Sequence, residues 1–104
     1  MIRVQIGTSE RAIENADPSW ITEQINRRRR DGQTVCVRVR IDDSRANMIL
    51  TTPACAGAGG GNRPPNAQES EIFDLWEKRG LNKGDFAPGN LIAFLNQLMR
   101  LIGD

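Results

Sequence analysis

The chain is 104 residues long, 38% hydrophobic and 26% charged, with fourteen basic and thirteen acidic side chains and a formal net charge of +1. That is the length of one domain with room for one modest core, and the composition is globular rather than disordered. There is no histidine, which removes the commonest acid–base side chain, the commonest metal ligand and the usual partner of a serine or cysteine nucleophile.

Ile2, Val4 and Ile6 alternate with Arg3 and Gln5, which predicts a half-buried strand over 2–6. Residues 8–16 are polar around Ala12 and Ile13 and are expected to hold a short helical turn. Asp17 followed by Pro18 is an N-cap with proline at the first helical position, predicting a helix over 18–30. Its apolar face carries Trp20, Ile21 and Ile25, its last turn is Arg27-Arg28-Arg29-Arg30, and Gly32 is placed to stop it. Val35, Val37, Val39 and Ile41 then alternate with Cys36, Arg38 and Arg40, predicting a second strand over 34–41. Asp42-Asp43-Ser44-Arg45 reads as a turn, and Met48, Leu50 and Thr52 mark a third strand over 47–52, antiparallel to the second.

Composition then changes abruptly. Ala54 to Gly61 are eight consecutive small residues followed by Asn62-Arg63-Pro64-Pro65, so 54–65 is expected to be a flexible loop. Asn66 with Glu69 forms a capping-box pattern that opens a helix over 67–79, with Ile72, Phe73, Leu75 and Trp76 on its apolar side and Gly80 as its stop. After a loop, Pro88 opens a last helix over 88–102, which Gly103 closes. The elements fit one α+β domain over 1–104: a three-stranded mixed sheet covered by about three helices, in the order β-α-β-β-α-α. A right-handed crossover would make the first two strands parallel. The expected core is Ile2, Val4, Ile6, Val35, Val37, Val39, Leu50, Leu75 and Trp76.

No constellation of catalytic residues emerges. The glycine-rich stretch lacks the Gly-Lys-Ser/Thr end of a phosphate-binding loop, since Gly61 is followed by Asn62 and Arg63. Position 62 is also asparagine where a dinucleotide fingerprint would need a third glycine. Cys36 and Cys55 cannot close a zinc site alone. With no signal peptide and no membrane span, the chain is expected in the cytoplasm with both thiols reduced and Cys55 accessible. Asp42, Asp43, Glu10 and Glu14 would meet if the first two strands finished together, but acids at a hairpin turn are ordinary turn chemistry, and no metal or cofactor is expected. Arg38 and Arg40, beside Arg3 and Gln5, would give a basic open sheet face without the aromatic residues that stack RNA bases.

Two features point to binding. Twelve arginines against two lysines fit a GC-rich bacterial genome, but Arg27, Arg28, Arg29 and Arg30 are clustered, and the topology would bring Arg63 beside them. Such a pole would hold nucleic acid or another anion, unless the four simply complement the negative end of their helix. Nine of the twelve residues 91–102 are apolar, more than the stripe that covers one side of a sheet. Leu91, Phe94, Leu95, Leu98, Met99 and Ile102 are therefore candidates for an interface with a second copy or another protein, unless the helix is buried on two sides. The functional expectation is a small non-catalytic protein–protein interaction or accessory module, with anion or nucleic-acid binding as the alternative and no membrane partner.

Overall fold

A computed structural model describes residues 1–55, 65–83 and 86–102. Strand β1 (Ile2–Ile6) turns through Gly7 and Thr8 and returns as β2 (Ser9–Ala12), with Ile6 opposite Ser9 and Arg3 opposite Ala12. Gly7 has φ +61° and Thr8 is not in the left-handed region, the pattern of a two-residue II′ hairpin turn with glycine at its first central position. A Cβ on Gly7 would also stand 2.1 Å from the Arg28 Nε. The positive φ is what disfavours a side chain here; the Arg28 guanidinium would have to shift to admit one. We expect Gly7→Ala to cost about 1–3 kcal/mol, read as a lowered melting temperature; an unchanged melt would show that the turn is not held this way.

A 3₁₀ turn (Ile13–Asn15) leads to helix α1 (Pro18–Arg30), whose N-cap Asp17 accepts a hydrogen bond from the Trp20 amide. Strand β3 (Val37–Asp42) follows, then β4 (Asn47–Thr51), helix α2 (Ala67–Lys78), a 3₁₀ turn (Leu81–Lys83) and helix α3 (Pro88–Ile102). The four strands form one sheet in the order β2-β1-β3-β4, antiparallel throughout.

The α+β class holds, but the expected three-stranded mixed sheet does not. The cause is β2, which takes up the first part of the stretch 8–16, ahead of the short helical turn expected there, found at Ile13–Asn15. Its four residues reverse the chain once before α1, so β3 arrives antiparallel to β1, with Ile6 opposite Val37 and Ile2 opposite Ile41. The expected parallel crossover is thereby corrected. Gly103 and most of the stretch 54–65 lie outside the described residues.

Alternation along the strands separates two faces. Val4, Ile6, Val37, Val39, Ile41 and Leu50 are buried on one, against Ile21 and Ile25 of α1, Ile72 and Trp76 of α2, and Leu91, Phe94 and Leu98 of α3. Trp76 and Phe94 meet edge to face at 5.2 Å, an arrangement that adds about 1 kcal/mol to the burial itself. Of the expected core, Leu75 is only partly buried. Among the described residues no helix is long and apolar enough to cross a membrane.

The cysteines contradict the expectation of free, reduced thiols: Cys36 and Cys55 form a disulfide, and Cys55 is buried rather than accessible. The antiparallel β3–β4 pair explains the meeting, because residues just before β3 and just after β4 lie side by side. Their Cα atoms are 4.7 Å apart. Thr52 reinforces the same place. Its amide donates to the Val37 carbonyl, while its hydroxyl accepts from the Val37 amide and donates to the Val35 carbonyl. Closing a loop of this length stabilises the fold by about 3 kcal/mol in the chain-entropy account.

Candidate functional site

The four arginines that end α1 do not act as one group. Helical periodicity continues the buried stripe Ile21–Gln24–Ile25 onto Arg28, which is half-buried, whereas Arg27, Arg29 and Arg30 are exposed. Arg28 lies over Gly7, donates to the Gln24 side chain at 2.8 Å and to its carbonyl at 3.1 Å, and reaches the Ser9 hydroxyl at 3.5 Å. It ties α1 to the β1–β2 hairpin. Arg29 donates to the Phe86 carbonyl and sits 5.5 Å from that ring's centre, tying α1 to the segment before α3. Arg27 pairs with Glu23 at 2.7 Å. Arg27 and Arg28 share a cleft of about 330 Å³ with Gly7, Thr8, Asp31, Gln33, Thr34 and Cys36, and Arg63 lies outside the described residues. The cleft adjoins the carbonyl end of α1, whose partial negative charge opposes a bound anion.

The residues expected to form an interface on α3 lie inside this chain. Leu91, Phe94, Leu95, Leu98 and Ile102 are buried within the chain's own core, and Met99 is partly buried. The surplus of apolar residues is used because α3 packs against both α1 and α2.

The expected meeting of Asp42 and Asp43 with Glu10 fails with the parallel topology, whereas Glu14 follows Ala12 toward the Asp42 end of the sheet. Glu10 lies opposite Gln5 and pairs with Arg3 at 2.9 Å, whereas Asp42 lies opposite Asn47 at the other end of β3. Among the described residues no three Asp, Glu, Cys or His side chains gather as a metal site. The open sheet face does carry Arg3 opposite Arg40 and Gln5 opposite Arg38.

The feature that sequence reasoning missed lies at β4. This strand ends the sheet, and the exchange of amide and carbonyl bonds between Asp43 and Ala46 fixes the alternation beyond it. Met48 and Leu50 bond inward to β3, so the amides and carbonyls of Asn47, Ile49 and Thr51 point outward. The Asn47 amide donates to Glu69 Oε2 at 2.7 Å; Ile49 and Thr51 have no strand partner among the described residues. Alongside runs a cavity of about 320 Å³ between β4 and α2, lined by Met48, Pro65, Glu69, Ser70, Phe73 and Asp74.

Ile49 is 56% exposed and Phe73 43%. Phe73 was expected on the apolar side of its helix, but it follows Ile72 by one residue, about 100° around the helix, while Ile72 and Trp76 share the buried face. The back of the cavity is fixed by Glu69, 1% exposed, whose Oε1 accepts from the Asn66 amide at 3.0 Å and whose own amide donates to Asn66 Oδ1 at 2.7 Å.

No protein-family model, curated protein or solved structure matches the chain.

Proposed function

We propose that this chain acts by binding rather than by catalysis, as a protein–protein interaction module that receives an extended segment of a partner along β4. The observation that carries the reading is the edge strand itself. It has outward backbone groups at Ile49 and Thr51, an exposed Ile49 side chain on the open sheet face and, on the other face, a cavity bounded by α2 with the exposed Phe73 in its lining. Such an edge gives affinity through main-chain hydrogen bonds and specificity through a pocket that takes an alternate side chain of the added strand. The strand from Asn47 to Thr51 contains no charge and no proline, the devices by which an edge is ordinarily kept from pairing.

The alternative, nucleic-acid or other anion binding, now has Arg27 and Arg28 in one cleft, with Asp31 beside them. We keep the cytoplasm as the proposed setting, where a disulfide is usually a redox-responsive bond rather than a permanent staple.

Capture of partners from native lysate, with and without nuclease, tests both readings. A partner protein should be retained after nuclease and lost by more than tenfold, about 1.4 kcal/mol, in Ile49→Lys, with folding retained. Arg27→Gln should capture it unchanged. Capture indifferent to Ile49→Lys, or abolished by nuclease, overturns the docking reading. Sedimentation of the purified chain distinguishes a second copy as the occupant.

A further inference from the structure

We infer that the Cys36–Cys55 disulfide is a thiol–disulfide exchange site, opened by a low-molecular-weight thiol that attacks only at Cys36. The two sulfurs have different surroundings. Cys36 is half-buried and lines the cleft of about 330 Å³ together with Gly7, Thr8, Arg27, Arg28 and Asp31. Cys55 is 5% exposed and lies inside the fold, its sulfur 3.4 Å from the Val37 carbonyl oxygen and 3.6 Å from the Thr52 hydroxyl. A small thiol can therefore reach one sulfur and not the other.

The chemistry suits that asymmetry. An incoming thiolate forms a bond to Cys36 Sγ as the Cys36–Cys55 bond breaks, and the electron pair leaves on Cys55 Sγ. There the Thr52 hydroxyl, which donates to the Val35 carbonyl in the closed form, can turn its hydrogen onto the new thiolate. Once protonated from solvent, the Cys55 thiol can donate to the Val37 carbonyl instead. Both states of the leaving group thus find polar partners already in place. A second thiolate then attacks the small-molecule sulfur of the mixed disulfide and releases Cys36 as a thiolate into the cleft, where it takes a proton from solvent. In sum, two thiols are oxidised to their disulfide and the protein disulfide is reduced to two thiols. The bond joins the residue before β3 to the segment that leaves β4, so exchange releases that segment from the sheet at a defined point. This inference stands apart from the docking reading, which concerns the other side of β4.

The test uses the oxidised native chain with reduced glutathione as the thiol, acid quenching and peptide mass mapping over a series of times. The mixed disulfide should map to Cys36, with Cys55 appearing as the free thiol in the same molecules. The rate should stay unchanged in urea below the unfolding transition. In the reduced chain, iodoacetamide should modify Cys36 at least tenfold faster than Cys55. An adduct on Cys55, equal labelling of the two, or a rate that climbs in step with unfolding overturns the inference.

Discussion

Val37→Asp should leave the chain without a cooperative thermal transition at neutral pH. Val37 is 0% exposed and stands opposite Ile6 on the sheet's inner face, where β3 begins. The substitution removes apolar packing and buries a carboxylate with no cation to meet it, a combination that costs on the order of 5 kcal/mol. The whole stability of a domain this size is about 5–15 kcal/mol. Arg40→Asp is the matched control. Arg40 lies on the same strand but the opposite face, exposed and directly opposite Arg3. There a carboxylate replaces a like-charge pair with an opposite-charge one, so stability should stay within about 1 kcal/mol of the parent. Circular dichroism melts of the two variants check the face assignment together. If Val37→Asp melts like the parent, the strand is turned over.

That contrast marks where the fold was legible. Strands β1, β3 and β4 bury one face and solvate the other, so their alternation is written in Ile2–Ile6, Val35–Ile41 and Met48–Thr52. The helices announce themselves through caps, and Asp17 and Asn66 perform the capping expected of them. Strand β2 was not legible because Ser9-Glu10-Arg11-Ala12 is an edge with no apolar period. What holds it is a turn and a few polar contacts: Gly7 at positive φ, Glu10 on Arg3, and Arg11 stacked 4.8 Å from the Trp20 ring. Gly7-Thr8 was the available signal. Missing one four-residue strand reversed the predicted direction of everything after it, and with it the predicted meeting of Glu10 with Asp42 and Asp43.

The candidate site was less legible for a related reason. Surplus apolar residues on α3 are easy to count in the sequence. Whether they meet solvent depends on how many neighbours the helix has, which is a property of the packing. Conversely, Ile49 and Phe73 are single apolar residues in ordinary strand and helix patterns. Only the position of β4 at the end of the sheet, beside α2, makes them neighbours of an open edge. The disulfide also needed the register, because nineteen residues of separation do not show that Cys36 and Cys55 flank the same end of an antiparallel pair.

Glu69→Ala should lower stability by about 3 kcal/mol, and its effect should be felt at β4 as much as at α2. In the sequence Glu69 is the third residue of a capping box, worth about 1 kcal/mol at a helix start. In the structure one carboxylate oxygen serves that role on the Asn66 amide, while the other accepts from the Asn47 amide at 2.7 Å and fastens the first residue of β4. Alanine would take from both amides the acceptor on a side chain that was 1% exposed, at about 1–3 kcal/mol for each charge-assisted hydrogen bond lost. For a chain near 100 residues this lowers the melting temperature by roughly 12 °C. Glu69→Gln keeps one carbonyl acceptor in reach of one amide and loses the other, so it should fall between the parent and Glu69→Ala. Amide hydrogen exchange separates a local from a shared role: protection should fall at Asn47 and along β4 in Glu69→Ala, in step with the first turn of α2. If only the α2 amides lose protection, Glu69 is a helix cap and nothing more, and β4 is held by its pairing with β3 alone. If both respond, one buried carboxylate fixes the spacing between the edge strand and the helix, and so sets the width of the cavity between Met48 and Phe73.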